Sequence, residues 1–404
     1  MQLRDGETVS KNGVGTLRGL PRRAGWSPVE LRTALVGLGT VWGLFAAPAR
    51  AAADGTLSMR GVYYKERATR VVQPMLDTVF DVGTRGVVTA NFLVDAITSA
   101  SASSGAADDA AFTETRYEVG AGYTHELPVG LRLGAQGRYS TESDYRSIYG
   151  GVRAEIDLAQ KNATLGAGGG IGRDRISAGA AQGPAMPTLA CAPGVDQDRC
   201  FLTSYVAFAT ASQVLSKNAV AGVTYDLARL DGYQSNPYRS ALASDGVAAP
   251  ERHPLDRLRQ AFAGSLRYHV AAAQITVIGA YRYYRDDWNV RAHTPEVRVI
   301  QQVGSVADAT LRYRYHHQSR AFFYQDRYAT TDAAMQRYLS DDVKLDAFTG
   351  HLIEAKLGIA GEAFGLEGRW SGARFEGMLQ YLLQHERFGN AAIAHVALTV
   401  PFDE

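Results

Sequence analysis

Arg259, Arg267, His269, Arg282, Arg298, Arg312, Arg314 and His316 fall out of phase with the apolar residues around them, in segments that otherwise alternate strictly. Guanidinium groups set side by side attract carboxylates and phosphates, so the chemistry they offer is the binding or selection of anions. Earlier in the chain Asp77, Asp95, Glu114, Glu118, Glu155, Asp157 and Asp226 take the corresponding phase, joined by Arg116, Arg132, Arg138 and Arg153. Facing one another across a space, the two sets would impose a transverse field on it. Interleaved, they would fill that space with ion pairs.

Other reactive residue types make weaker patterns. The nine histidines include no H-E-x-x-H and no spaced ligand set, and His316 and His317, adjacent on a strand, point to opposite faces. A hydrolase would need Ser or Asp paired with His; the stretch 324–346 and His253 supply the types, but no pair is marked, so no catalytic residue is assigned and no enzyme is expected. Asp341, Asp342 and Asp346 are hard-oxygen ligands in no known loop spacing, for which a solvated acidic loop is the ordinary explanation. Gly166, Gly168, Gly169, Gly170 and Gly172 belong to a strand pattern with no helix after it, which argues against a phosphate loop and for tight curvature or close packing. Cys191 and Cys200 are the only cysteines and are expected to form a disulfide if the chain is exported. No metal and no cofactor is expected.

The elements that position these groups are strands. Leu131, Leu133, Ala135, Gly137 and Tyr139 alternate with Arg132, Gly134, Gln136, Arg138 and Ser140, and Leu311, Tyr313 and Tyr315 alternate with Arg312, Arg314 and His316. Period two over such lengths gives a strand with two unlike faces. Sixteen such segments are predicted, near 57–65, 69–80, 86–97, 112–126, 130–142, 147–159, 162–175, 201–215, 219–232, 257–270, 273–288, 293–303, 308–323, 347–361, 372–387 and 390–402. Most exceed the five or six residues, roughly, of a globular strand and suit tilted membrane strands of about 9–11.

The connections separate a membrane barrel from a soluble sandwich. Even-numbered connections are short, such as 82–85, 127–130, 160–162 and 216–218, whereas long ones fall only in odd places, near 98–111, 177–200, 232–256, 286–294 and 324–346. Short turns at one end and long loops at the other are the habit of outer-membrane barrels, whose termini lie on the periplasmic side when the strand number is even. The 21 tyrosines fit the interfaces of such a wall: Tyr63, Tyr117, Tyr123, Tyr139, Tyr281, Tyr313 and Tyr381 share the apolar phase. In the last strand Ala394, Val396, Leu398, Val400 and Phe402 take every second position and finish on an aromatic, a pattern resembling the assembly signal of bacterial barrels. The predicted fold is therefore all-β, a transmembrane antiparallel barrel of about sixteen strands spanning 54–404.

Residues 1–53 differ in kind. Arginines precede the apolar run Ala34–Ala47, and Ala49-Arg50-Ala51 follows it, which predicts a cleaved secretory leader and an outer-membrane destination. Its removal takes away seven Lys/Arg and three Asp/Glu and leaves 35 basic against 38 acidic groups, a balance that excludes nucleic acid as an expected partner.

Several segments, MRGVYYKE at Met59–Glu66, FLVDAITSAS at Phe92–Ser101, DYRS at Asp144–Ser147, SNPYR at Ser235–Arg239, TPEVR at Thr294–Arg298 and RAFFY at Arg320–Tyr324, resemble the bacterial outer-membrane family called domain of unknown function 3570. The resemblance implies a barrel and carries over no catalytic residue. The function expected is porin-like passage of small polar or anionic solutes. The alternative is a structural or partner-binding barrel with a plugged lumen acting through its outer loops, and a rim-located hydrolase ranks behind both. Expected partners are outer-membrane lipid, the barrel-assembly machinery, small solutes and a second copy in a homo-oligomer.

Overall fold

Each alternating segment has an apolar face that must leave water and a backbone that must find hydrogen bonds, and one closed sheet satisfies both. In the computed structural model, which describes residues 54–67, 69–100, 111–177, 199–236, 239–384 and 389–402, they become strands β1 (Gly55–Lys65), β2 (Thr69–Val82), β3 (Gly86–Ala100), β4 (Ala111–Glu126), β5 (Leu131–Thr141), β6 (Tyr145–Leu158), β7 (Ala163–Ser177), β8 (Arg199–Ser216) and β9 (Ala219–Gly232). There follow β10 (Ser240–Leu242), β11 (Ala248–Pro250), β12 (Asp256–Val270), β13 (Ile275–Asp286), β14 (Arg291–Val303), β15 (Ala307–Gln318), β16 (Phe348–Ala360), β17 (Arg374–Leu383) and β18 (Ala391–Phe402). The leader expected at 1–53, Cys191 and most of the loops 98–111 and 177–200 lie outside the described residues.

β1–β9 and β12–β18 form a closed barrel of sixteen strands, every neighbour antiparallel. The first strand closes on the last from Gly55↔Phe402 to Lys65↔Ala392, so Ala394, Val396, Leu398, Val400 and Phe402 pair with Tyr63, Gly61, Met59, Leu57 and Gly55. A Cβ at Gly55 would collide with the Phe402 ring and the Val79 carbonyl, and glycine leaves room for that ring at the seam.

The outside of the barrel is apolar and uncovered. Val152, Val223, Leu311, Leu379 and Val396 are each at least 60% exposed, all on the same phase of their strands. Water would not tolerate so continuous a surface on a soluble protein, whereas a bilayer requires it. Tyr123, Tyr281 and Tyr313 stand on this outer face and are hydrogen-bonded to His125, His293 and His351, apolar bodies with polar tips near both rims. Helix among the described residues is limited to four short 3₁₀ turns, none able to cross a membrane.

Two departures from the sequence-based expectation have physical causes. β14 starts at Arg291 rather than 293, and the loop expected over 286–294 shrinks to four residues, 287–290. Trp288 and Val290, buried at 3% and 4%, anchor that turn inward, and the β14–β15 ladder skips Thr294 and Pro295 because proline has no N–H to donate. The hairpin β10–β11, inside the loop expected at 232–256, has strands of three residues, too short for alternation to show.

Candidate functional site

Inward-facing residues line the lumen, and their charges divide by wall. On β12–β17 most carboxylates are held by a neighbouring cation. Asp286 accepts from Arg257 at 2.5 Å, Glu296 pairs with Arg298 at 3.0 Å, and Glu354 pairs with Arg312 at 2.6 Å. Glu376 takes Lys356 at 2.7 Å and Arg374 at 2.9 Å, and Arg374 also binds Asp308. Among the described residues, Arg259, Arg267, Arg282 and Arg314 have no carboxylate within 4.0 Å. They lie on the inward faces of β12, β13 and β15, with β14 between the last two, and His316, the next inward residue after Arg314, has its Nδ1 2.9 Å from the Thr294 hydroxyl.

The acidic set behaves differently. Asp95 pairs with Arg116 at 2.5 Å, Glu118 with Arg138 at 3.9 Å, and Arg132 serves both Glu155 at 3.4 Å and Asp157 at 2.7 Å. Asp77 is held by Arg60 at 2.5 Å. These five acids are compensated by neighbours on their own wall; among the described residues Glu114 and Asp226 have no cation within 4.0 Å, and Arg153 and four guanidiniums on β12–β15 have no carboxylate. A pore with such walls has a net positive side, and water in a wide lumen keeps the desolvation cost of the charges low.

At the long-loop end Glu114, Glu142 and Asp144 bring carboxylate oxygens within 4.8 Å of one another, with the Ser143 hydroxyl donating to Glu114 at 2.7 Å. Burial and the nearby Glu114 charge push Glu142 up to about 7 and Asp144 up to about 6.

The same end is built over by two loops, 233–255 and 319–347. They join through bridges Ala243↔Tyr328 and Arg252↔Leu339 and bury Tyr328 and Leu339 almost completely. Trp288, Phe323, Tyr324 and Leu345 form a second core against Tyr284, an inward residue of β13. Trp288 lies 4.0 Å from the Arg257 guanidinium, and Gln318 of β15 donates to the carbonyls of Lys344 and Asp346 at 2.9 and 2.8 Å. The loop unit thus rests on lumen-facing residues of the arginine wall.

Its centre is a buried polar chain. The Ser340 hydroxyl lies 2.8 Å from His253 Nε2 and 2.7 Å from Glu251 Oε1, His253 Nδ1 lies 3.0 Å from the Gln234 carbonyl, and Asp341 N–H donates to Glu251 at 2.8 Å. The serine–histidine distance is that of a nucleophile and its base. However, Ser340 is 0% exposed, and the carboxylate addresses the serine instead of orienting the imidazole, an arrangement suited to clasping two loops. Burial drives His253 down to about 4 and Glu251 upward, although Arg239 at 3.7 Å opposes the latter.

The acidic run after residue 340 is not the solvated loop expected. Asp341 and Asp346 are buried; Asp342 pairs with Arg239 at 3.2 Å and Asp346 accepts from Arg320 Nε at 2.7 Å, so these side chains serve the loop fold. Cys200 is 1% exposed, packed with Ile176 and Tyr233, and its expected partner Cys191 lies outside the described residues.

The glycine strand β7 leaves the lumen wall thin. Tyr149 and Phe208 cover Gly170 and Gly168, where a Cβ would strike their side chains. Beside them a recess of about 310 Å³ is lined by Glu155, Thr164, Thr210, Ser212, Thr224 and Ser265, among others. Sequence reading singled out none of these hydroxyl residues, although each occupies the inward phase of its strand.

A closed sixteen-strand barrel with a lipid-facing exterior and a charged interior defines the class of outer-membrane β-barrels. Within that class the chain belongs to the family described as Protein of unknown function (DUF3570), whose model matches residues 108–360. No curated protein matches in sequence. Among solved structures the chain is similar to a bacterial polysaccharide outer membrane secretin (9% identity, 87% of this chain and 98% of that one, TM-score 0.49). It is also similar to OprD of Pseudomonas aeruginosa (10% identity, 88% and 97%, TM-score 0.44) and to a BenF-like porin from Pseudomonas fluorescens Pf-5 (9% identity, 87% and 99%, TM-score 0.45). At these identities nothing about solutes or partners transfers from them.

Proposed function

We propose that the chain is a porin-like channel that passes small polar solutes through the bacterial outer membrane and prefers anions. Export by the 1–53 leader, periplasmic termini, outward-facing long loops and a Cys191–Cys200 disulfide belong to the same reading. The observation that supports it is the set of uncompensated guanidiniums, Arg259, Arg267, Arg282 and Arg314, on one lumen wall whose acids are otherwise paired. A fixed excess of positive charge raises the local concentration of anions and lowers that of cations in the aqueous path. The test is conductance of the refolded mature chain in a planar bilayer, with reversal potential under a salt gradient. Stable steps with anion preference support the channel; silence from a demonstrably folded barrel overturns it.

One observation favours a second reading, in which the loops hold a partner: 233–255 and 319–347 fold as a unit with buried cores of their own. Deleting them would then abolish partner binding and leave conductance intact.

A further inference from the structure

We infer that the lumen holds a second, uncharged solute site, a hydroxyl-lined recess on β6–β9 and β12 that binds polyhydroxylated molecules. This goes beyond the anion-selective wall and rests on the proposed channel only in needing a lumen that solute can reach.

The recess, about 310 Å³, falls at the lower end of the volumes of small-ligand sites, about 300–1,000 Å³. Its polar groups lie on adjacent strands in register. Thr164 of β7 pairs with Ser212 of β8, Thr210 of β8 with Thr224 of β9, and Gly222 of β9 with Ser265 of β12. Thr164 already donates to Asp157 at 2.8 Å. The hydroxyls of Thr210, Ser212, Thr224 and Ser265 make no hydrogen bond within the described protein, so four donor–acceptor groups face one cavity unspent.

Small residues create the space for them. A Cβ at Gly166 would come within 2.6 Å of Thr210 Oγ1, and one at Gly222 within 3.3 Å of Ser265 Oγ. Ala263 and Ala280 supply a short apolar surface, which suits the C–H face of a polyol.

The lining contains no cation, and its one carboxylate, Glu155, would repel an anion. A carboxylate is well placed to accept from two neighbouring hydroxyls of a ligand, and Glu155 engages Arg132 only at 3.4 Å, through one oxygen. Both features disfavour the anions that the arginine wall would attract and favour neutral solutes bearing several hydroxyls.

The test is saturation-transfer NMR of sorbitol on the folded barrel in an amine-oxide detergent, because glycoside detergents would compete for the recess. Wild type should transfer saturation to sorbitol, and succinate in excess should not displace it. The near-isosteric double variant Thr210→Val, Thr224→Val should weaken binding at least tenfold while heat-modifiable gel migration shows the barrel still folded. Arg314→Gln should leave sorbitol binding unchanged. Absence of transfer to wild-type barrel, or undiminished binding in the double variant, overturns the site whatever the conductance. Sorbitol binding by a barrel that conducts no ions would leave the site standing and overturn the channel.

Discussion

Replacing Ser340 by alanine should open the outer loop unit and leave the barrel intact. The Ser340 hydroxyl makes contacts to His253 and Glu251 and accepts from the Asp342 N–H at 3.0 Å, all in a place closed to water. Three bonds at about 1 kcal/mol net each, with about 1 kcal/mol, the low end of the usual cost, for stranding His253 or Glu251 unsatisfied, put the loss near 4 kcal/mol. That corresponds to a rise of about a thousandfold in the open population of the loops. Hydrogen exchange read by mass spectrometry should show residues 233–255 and 319–347 exchanging two to three orders of magnitude faster, with β1–β9 unchanged. Unaltered loop protection would refute the clasp, and faster exchange throughout the strands would refute its independence from the barrel.

The same clasp has a pH signature. Two acceptor–acceptor contacts, Nε2 to Oγ and Oγ to Oε1, require the serine hydrogen and one more, so the folded pair holds a single proton. The open pair, with ordinary values of 4.5 for Glu251 and 6.5 for His253, binds two protons below the first, one between them and none above the second. Loop stability should therefore rise with pH between about 4, below which folded His253 is protonated as well, and about 4.5, stay level to about 6.5, and fall above that until Glu251 gives up its proton. Exchange rates of the loops across pH, corrected for intrinsic chemistry, would show the plateau, and a monotonic profile would contradict it.

Arg314→Gln should reduce anion preference in reversal-potential measurements with little change in the urea midpoint. Arg312→Gln should cost about 3 kcal/mol of stability in the same unfolding assay, because it strands the buried Glu354. Glu142 and Asp144, both raised by burial, take up protons in the folded state that the unfolded chain takes up only at lower pH. Stability should consequently fall as pH rises from about 4 to about 7, and Glu142→Gln should flatten that slope in thermal unfolding. Phe402→Ala removes the ring lying over Gly55 and should slow conversion to the folded, heat-modifiable form in refolding time courses.

The barrel was legible in the sequence because a lipid wall imposes period two on every strand, and because loop length sorts by end when the strand count is right. Charge phase was legible for the same reason: Arg282 and Arg314 alternate with Tyr281 and Tyr313, and both are inward. Which arginines have partners was not, since pairing depends on cross-strand register, and Arg312 meets Glu354 only through the alignment of β15 with β16. The Glu251–Ser340 contact spans 89 residues between two irregular loops that carry no periodic signal. The hydroxyl recess escaped notice because Thr and Ser alternating with Ala and Gly read as an ordinary weak strand. Only the register of β7, β8, β9 and β12 makes them neighbours.

The seam between β1 and β18 turns chain completion into a checkpoint. Ser58 and Thr399 share a hydrogen bond across 341 residues, so the closing contact waits until every other strand of the barrel has been made. Until Ala391–Phe402 arrives, both edges of the sheet expose unpaired amides, which are adhesive in water and intolerable in lipid. A chain cut short before β18 would thus present itself to periplasmic proteases as an open ribbon. Once β18 is present, both edges are hidden by a single pairing, that of β1 with β18.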